Sequence, residues 1–177
     1  MELYEKLKAL LADWEENGVP PRHTVEDVGQ QLIRWKQDRG VAGVWKTPPT
    51  MVTATIDDGM GFGLFLIQMF GEIAGLEIHP LGLMRKKARI IEAVQKQRPD
   101  ILGLTVLQFT SEEDLVEIGG NLPENTALVV GGPVFKGNPE LTSRANVAFV
   151  ARDVGAFLRW LLATWPPDGN GASAEDG

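Results

Sequence analysis

Along the first forty positions apolar residues recur at spacings of three and four. Leu3, Leu7, Leu10, Leu11 and Trp14 fall on one face and predict an amphipathic helix over 2–16. Gly18 and Pro20-Pro21 end it. A second stripe, Val25, Val28, Leu32 and Trp35, predicts another helix that runs to about Asp38 and stops at Gly40. Its start is expected at Thr24, with the hydroxyl as N-cap and Asp27 at the third helical position. Residues 40–50, "GVAGVWKTPPT", read as a linker, since Pro48-Pro49 cannot extend a helix.

From residue 51 the period changes. The runs "MVTATI" (51–56), "LEIHPLG" (76–82), "DILGLTVL" (100–107), "ALVVGG" (127–132) and "NVAFV" (146–150) predict five strands. The third is continuously apolar, as in a strand buried on both faces. Between them 62–74, 86–97 and 111–120 read as helices, the last opened by Ser111 with Asp114 three residues on. A closing helix over 153–165 turns Val154, Phe157, Leu158, Leu161 and Trp165 inward. Strands separated by helices demand parallel pairing. The expected fold is therefore α/β, a five-stranded parallel doubly wound sheet of the flavodoxin-like Rossmann type over 50–165. Residues 1–49 form a short helical N-terminal extension and linker. Residues 166–177, "PPDGNGASAEDG", lack large apolar side chains and are expected to be disordered.

Composition narrows the class. The 177 residues are 44% apolar and 23% charged, ordinary globular values, and a net charge of −7 disfavours nucleic acid or an anionic membrane as partner. The one basic run, "MRKKAR" (84–89), reads as a solvated helix start. The absence of cysteine removes disulfides, thiolate metal sites and cysteine nucleophiles. No run approaches the ~20 apolar residues of a membrane span, and the N-terminus lacks a signal peptide's pattern, so a cytoplasmic location is expected. Nothing resembles a catalytic triad, a paired-carboxylate site or a structural metal cluster, so independent catalysis is not expected.

An open parallel sheet binds ligands beyond the carboxyl ends of its strands. Those ends carry "DDGMGFG", "HPLGL", "TVLQFTS" and "GGPVF", loops rich in glycine and hydroxyl groups with little charge beyond two acids. They suit a large, partly apolar ligand better than a naked phosphate. The first loop fails a dinucleotide fingerprint, because Gly59 and Gly61 fit but Leu64 stands where the third glycine belongs and no acid ends the second strand. It also fails a P-loop, as no Gly-Lys-Ser/Thr follows. A phosphoryl-receiver site would use Asp57 and Asp58 but needs an aspartate where Thr105 stands.

The set of loops resembles the cobalamin-binding domain of methionine synthase, methylmalonyl-CoA mutase and small corrinoid methyl carriers. That family carries D-x-H-x-x-G after its first strand, S-x-L after its third and G-G after its fourth. Asp58 and Gly63 match the first motif, with Met60 at the histidine position. Thr105 and Leu107 match the second, with threonine for serine, and Gly131-Gly132 match the third. The 41 residues between Gly63 and Thr105 fit the family's spacing; the 23 between Leu107 and Gly131 are slightly few, which implies a trimmed third helix. "PLG" at 80–82 and "RPDILGL" at 98–104 also look like the family's wording.

The resemblance implies bound cobalamin whose nucleotide tail descends into a slot between the sheet and the following helix. The implied contacts are Asp58, Gly59, Met60, Gly61, Phe62 and Gly63, then Thr105 and Leu107, then Gly131, Gly132 and Pro133. In the family the motif histidine ligates cobalt and the motif aspartate tunes its other nitrogen. Met60 departs from this. Its thioether is a soft, weak donor with no N–H, so cobalt is expected to have no protein nitrogen below and at most a weak contact with Met60. Loss of that nitrogen eases reduction to Co(I), which suits methyl transfer. The implied role is corrinoid carrier or accessory subunit for a partner methyltransferase or radical enzyme. A cobalamin-responsive sensor, and a degenerate domain used only for protein contacts, remain alternatives.

Other residues draw attention. His79 ends the second strand and reads as a partly exposed structural residue; His23 reads as a loop histidine, or an upper ligand if the N-terminal helices fold over the corrin. Trp14 and Trp35 read as core, whereas Trp45 in the linker is expected near the cleft, over the ligand's upper face. Two helices are too few for a four-helix cap. They pack on the sheet's flank, pair with a second chain as a homodimer, or dock on a partner.

Overall fold

A computed structural model describes residues 1–168, so most of the tail expected to be disordered lies outside the described residues. The helices are α1 (Glu2–Asn17), α2 (Arg22–Arg39), α3 (Phe62–Ala74), α4 (Lys87–Gln97), α5 (Glu112–Gly120), α6 (Pro139–Arg144) and α7 (Val154–Thr164). The strands are β1 (Thr50–Thr55), β2 (Glu77–Gly82), β3 (Ile101–Thr105), β4 (Ala127–Gly131) and β5 (Val147–Val150). All pair in parallel in the order β2-β1-β3-β4-β5, so the chain reverses direction between β1 and β3, where such sheets open a crevice.

Alternation along the strands divides the core in two. Met51, Ile101 and Val129 face α3 and α7, while Val52, Leu102, Leu104, Leu128 and Val130 face the layer of α4, α5 and α6. The first face has a further cover. Leu3, Leu7, Leu11 and Trp14 of α1 are buried in the α3–α7 cluster, and Trp14 meets Phe70 edge-on at 5.5 Å. The N-terminal helices therefore lie on the sheet's flank. The α1 stripe is buried within the chain, and Val28, Leu32 and Trp35 of α2 pack half-buried against the same cluster.

Local chemistry explains the departures from expectation. Helix α2 starts at Arg22, not at Thr24, because Pro21 presets the turn (φ −55°) and its carbonyl accepts the Thr24 and Val25 amides. Its end is as expected, with Gly40 left-handed and lysine and arginine in the last turn. Ser111 precedes α5 but makes no side-chain cap. Helix α6 had no counterpart in the strand–helix pattern; Asn138 caps it, accepting the Leu141 amide at 3.1 Å, and Pro139 follows. At nine residues α5 is short, as the loop spacing implies. The basic run opens α4, where Lys87 pairs with Asp114 and Glu117, a solvated arrangement.

The linker corrects one placement. Val44 donates to the Ala74 carbonyl at 2.7 Å, and Trp45 Nε1 donates to the Trp165 carbonyl at 2.9 Å. These carbonyls end α3 and α7, which run back to the amino edge of the sheet. Trp45 thus sits at the opposite end from the strand termini that should carry a ligand, because the linker feeds the start of β1. No described helix is long and apolar enough to cross a membrane.

Candidate functional site

The β1–α3 loop is shaped by its own polar groups. Thr55 Oγ1 donates to the Asp58 carbonyl at 2.5 Å and accepts the Met84 amide at 2.9 Å, tying this loop to the one after β2. Asp58 is buried, and its Oδ1 accepts the amides of Met60 (2.8 Å) and Gly61 (2.9 Å). Gly61 is left-handed (φ 65°, ψ 20°) and starts α3. The motif acid is thus used within its own loop, and the Met60 side chain stands outward, 67% exposed.

A second carboxylate, Asp57, reaches across to the β3–α5 connection. It accepts the amides of Leu107 (2.7 Å) and Gln108 (2.9 Å) and the Ser111 hydroxyl (2.7 Å). This is what the Ser111 hydroxyl does in place of capping α5.

Behind these loops lies a cavity of about 370 Å³ between the sheet and α3. Its deep wall is Met51, Gly103 and Val129, and its opposite wall is Gly63, Leu64 and Ile67. Val19, Pro20, Arg22 and Val25 of the α1–α2 turn also line it. The sheet register makes the room. Thr55, Thr105 and Gly131 are consecutive partners across β1, β3 and β4, and Gly103 stands one repeat deeper than Thr105 on the same face. Two positions on that face therefore carry no side chain.

Of the residues singled out from the sequence, Asp58, Gly63, Thr105, Leu107, Gly131 and Gly132 line this cavity. Gly59, Met60, Gly61, Phe62 and Pro133 do not; the first four are the loop and the first helical residue beside it, and Pro133 opens a short turn whose Val134 and Phe135 pack on the other face. The two glycines of the pair differ in role. Gly131 has only the Ala151 carbonyl oxygen near its missing Cβ, at 3.4 Å. A Cβ on Gly132 would lie 1.9 Å from the Val106 carbonyl oxygen, at φ +123°, so glycine is required there by the backbone itself. Neither histidine lines the cavity: His79 is exposed on the edge strand, 3.1 Å from Glu77, and His23 is exposed in the first turn of α2. No cluster of metal-ligating side chains occurs among the described residues.

The sequence did not point to several neighbours. Arg22 and Arg152 also line the cavity. Phe65, Leu83, Met84 and Phe109 join Met60 and Phe62 as exposed large apolar side chains, Phe109 at 70%. The doubled aspartate was the one local signal for Asp57. Arg22 carried none, since its position depends on how the helical turn docks.

A doubly wound parallel sheet with a slot at the switch in strand order defines a ligand-binding domain of the Rossmann-like class. Residues 50–157 match the family described as the B12 binding domain, and the chain belongs to that family. Three solved structures share its fold. The cobalamin-binding protein from Desulfitobacterium hafniense DCB-2 superposes with a TM-score of 0.74 at 17% identity, over 92% of this chain and 82% of that one. The monomethylamine corrinoid protein of Methanosarcina barkeri gives 0.62 at 14% identity, over 92% and 80%. A chain of the methanol:cobalamin methyltransferase complex MtaBC, also from Methanosarcina barkeri, gives 0.65 at 18% identity, over 94% and 66%. No curated protein sequence matches the chain.

Proposed function

We propose that this chain binds cobalamin with the nucleotide tail in the slot and no histidine beneath cobalt, and presents it to a partner methyltransferase. The observation that carries this is the cavity itself. A slot kept open by Gly63 and Gly131, with Met51 packed over Gly103 at its deep end, runs from the loop motifs into the sheet, and Met60 stands beside its mouth at the histidine position. The residues fit the group: the deep end is apolar, as an aromatic base requires, and the Thr105 hydroxyl lines the cavity without a hydrogen bond among the described residues. Asp58 holds its own loop amides, a role that does not depend on a histidine. Residues 50–165 form the cofactor unit in this reading, and 1–49 an extension that closes one side of the slot. Bound cobalamin would supply a cobalt centre able to accept and donate a methyl group.

The partner is inferred from the neighbours, one a monomethylamine corrinoid protein and one from a methyltransferase complex. A radical enzyme in that role has no support of this kind. The exposed apolar side chains about the mouth provide a seat for the corrin. The test is to mix the purified chain with hydroxo-, methyl- and adenosylcobalamin, desalt it, and record visible spectra. Retained cobalamin with a tail-off spectrum is expected; loss of colour with all three overturns the reading.

One observation favours a second reading as a sensor. The α1–α2 turn contributes Val19, Pro20, Arg22 and Val25 to the slot, so occupancy acts on the extension directly. Hydrogen exchange over residues 1–40 with and without cobalamin separates the two: a sensor changes its protection and its oligomeric state, whereas a carrier changes only the turn.

A further inference from the structure

Polarity is graded along the slot. The deep residues Met51, Gly103, Val129, Ile67 and Val25 are all apolar, while the charged residues Asp58, Arg22, Arg152 and Asp153 lie toward the carboxyl edge. Phe62, the first residue of α3, fixes Arg22 there: the guanidinium carbon is 4.1 Å from the ring centroid. Arg152 follows Ala151, whose amide donates to the Val130 carbonyl at the end of β4.

The acids and the bases at this edge are in different states. Asp58 accepts the Met60 and Gly61 amides, and Asp153 accepts the Ala156 amide at the start of α7, so backbone donors already stabilise both carboxylates. Neither arginine makes a hydrogen bond to the described residues. Arg22 Nε is 3.2 Å from Glu26 Oε1 and Arg152 Nε is 3.6 Å from Asp153 Oδ2. Both contacts run through the inner nitrogen, and the side chains are 50% (Arg22) and 80% (Arg152) exposed. A guanidinium whose ion pair runs through Nε still presents its amino fork, which matches the oxygens of a phosphate. In a chain of net charge −7, two such groups at the edge of a cavity whose deep end is apolar, with both neighbouring carboxylates held by backbone amides, point to an anion attached to an apolar body.

We propose that Arg22 and Arg152 hold the phosphate of the cofactor's nucleotide loop, so that this chain selects corrinoids carrying that phosphate over those without it. The inference rests on the tail entering the slot, as proposed above. A base in the apolar end and a phosphate nearer the mouth follow the grade of the lining.

Three ligands isolate the phosphate: hydroxocobalamin, cobinamide phosphate, which has the phosphate but no base, and cobinamide, which has neither. Dissociation constants are read by absorbance titration for the native chain, Arg22→Gln and Arg152→Gln, with circular dichroism to confirm folding. The native chain is expected to bind cobinamide phosphate about tenfold more tightly than cobinamide. Each variant should narrow that gap, weaken cobalamin by about tenfold and leave cobinamide unchanged. Native binding of cobalamin with no preference for cobinamide phosphate overturns the inference while the slot reading stands, and needs no variant. Variants that lose all three ligands equally overturn it also. Failure of the native chain to bind cobalamin removes the slot reading and this inference together.

Discussion

Ser111 donates its hydroxyl proton to Asp57 across 2.7 Å, joining the connection after β3 to the loop after β1. The amides of Leu107 and Gln108 converge on the same carboxylate. Two loops that frame the slot mouth are therefore fixed to each other by one side chain, and both carry candidate residues singled out from the sequence. Such a mouth is formed before any ligand arrives, which lowers the ordering cost of binding.

Asp57→Ala should remove three hydrogen bonds at once, two of them from backbone amides to a charged acceptor. A loss of about 1–3 kcal/mol in unfolding free energy is expected, read by urea titration, with Ser111→Ala costing about 1 kcal/mol or less. Cobalamin retention should weaken in step. An Asp57→Ala variant as stable as the native chain would show that the clamp is incidental.

Blocking the slot should separate two glycines. At Gly63 an added Cβ meets nothing within 4 Å, so Gly63→Leu is expected to fold normally, fill the cavity and abolish cobalamin retention. At Gly132 even Ala meets the Val106 carbonyl, and the expected result is lost stability, of order 2 kcal/mol or more, before binding is considered. Thermal melts and retention assays on both variants check this. Retention by a folded Gly63→Leu variant would mean that the tail lies elsewhere.

Lys36 offers a test remote from the ligand. Its Nζ donates to the carbonyls of Glu72 and Ile73, both at 2.8 Å, and so closes the end of α3. Lys36→Met should destabilise the chain by about 1 kcal/mol. Burial lowers the Lys36 pKa below 10.5, against a smaller opposing effect of Glu72. Between the lowered value and 10.5 the unfolded chain binds more protons than the folded one. The pH-linked part of this residue's contribution therefore rises with pH through that window and is absent below it, where the two hydrogen bonds remain. A native chain and a Lys36→Met variant with parallel alkaline stability curves would contradict this.

Much of the fold was legible because the signals were periodic. The continuous apolar run ending at Thr105 and the alternation of short strands with helical stretches lead directly to a parallel doubly wound sheet, and the glycine loops fall at its carboxyl edge. What escaped depends on contacts between distant segments. Ser111 has a better partner in Asp57 than in its own helix, and the approach of two loops is not written in either. Trp45 was misplaced because the direction of a linker is set by which end of β1 it feeds. Helix α6 was missed although Asn138-Pro139 is a local start signal, since only six residues follow it. Arg22 acquires its position when α1 docks through Leu7 and Trp14, a consequence of packing rather than of its neighbours in sequence.

If position 60 corresponds to the family's histidine, as proposed, a histidine there should supply cobalt with a nitrogen. Met60→His is expected to bring a nitrogen to cobalt and move the visible spectrum of bound cobalamin toward nitrogen coordination. The carbonyl and amides that shape the loop involve the backbone, so the substitution should leave the fold unchanged. An unaltered spectrum with cobalamin still bound would place position 60 away from the metal.

The most direct measurement is electron paramagnetic resonance of the protein loaded with cobalamin, desalted and reduced to Co(II). Cobalt ligated by a nitrogen shows splitting from that nucleus, whereas a displaced tail with no histidine leaves none. A retained Co(II) signal without nitrogen splitting is expected for the native chain, with the splitting appearing in Met60→His. Nitrogen splitting in the native chain would contradict the account.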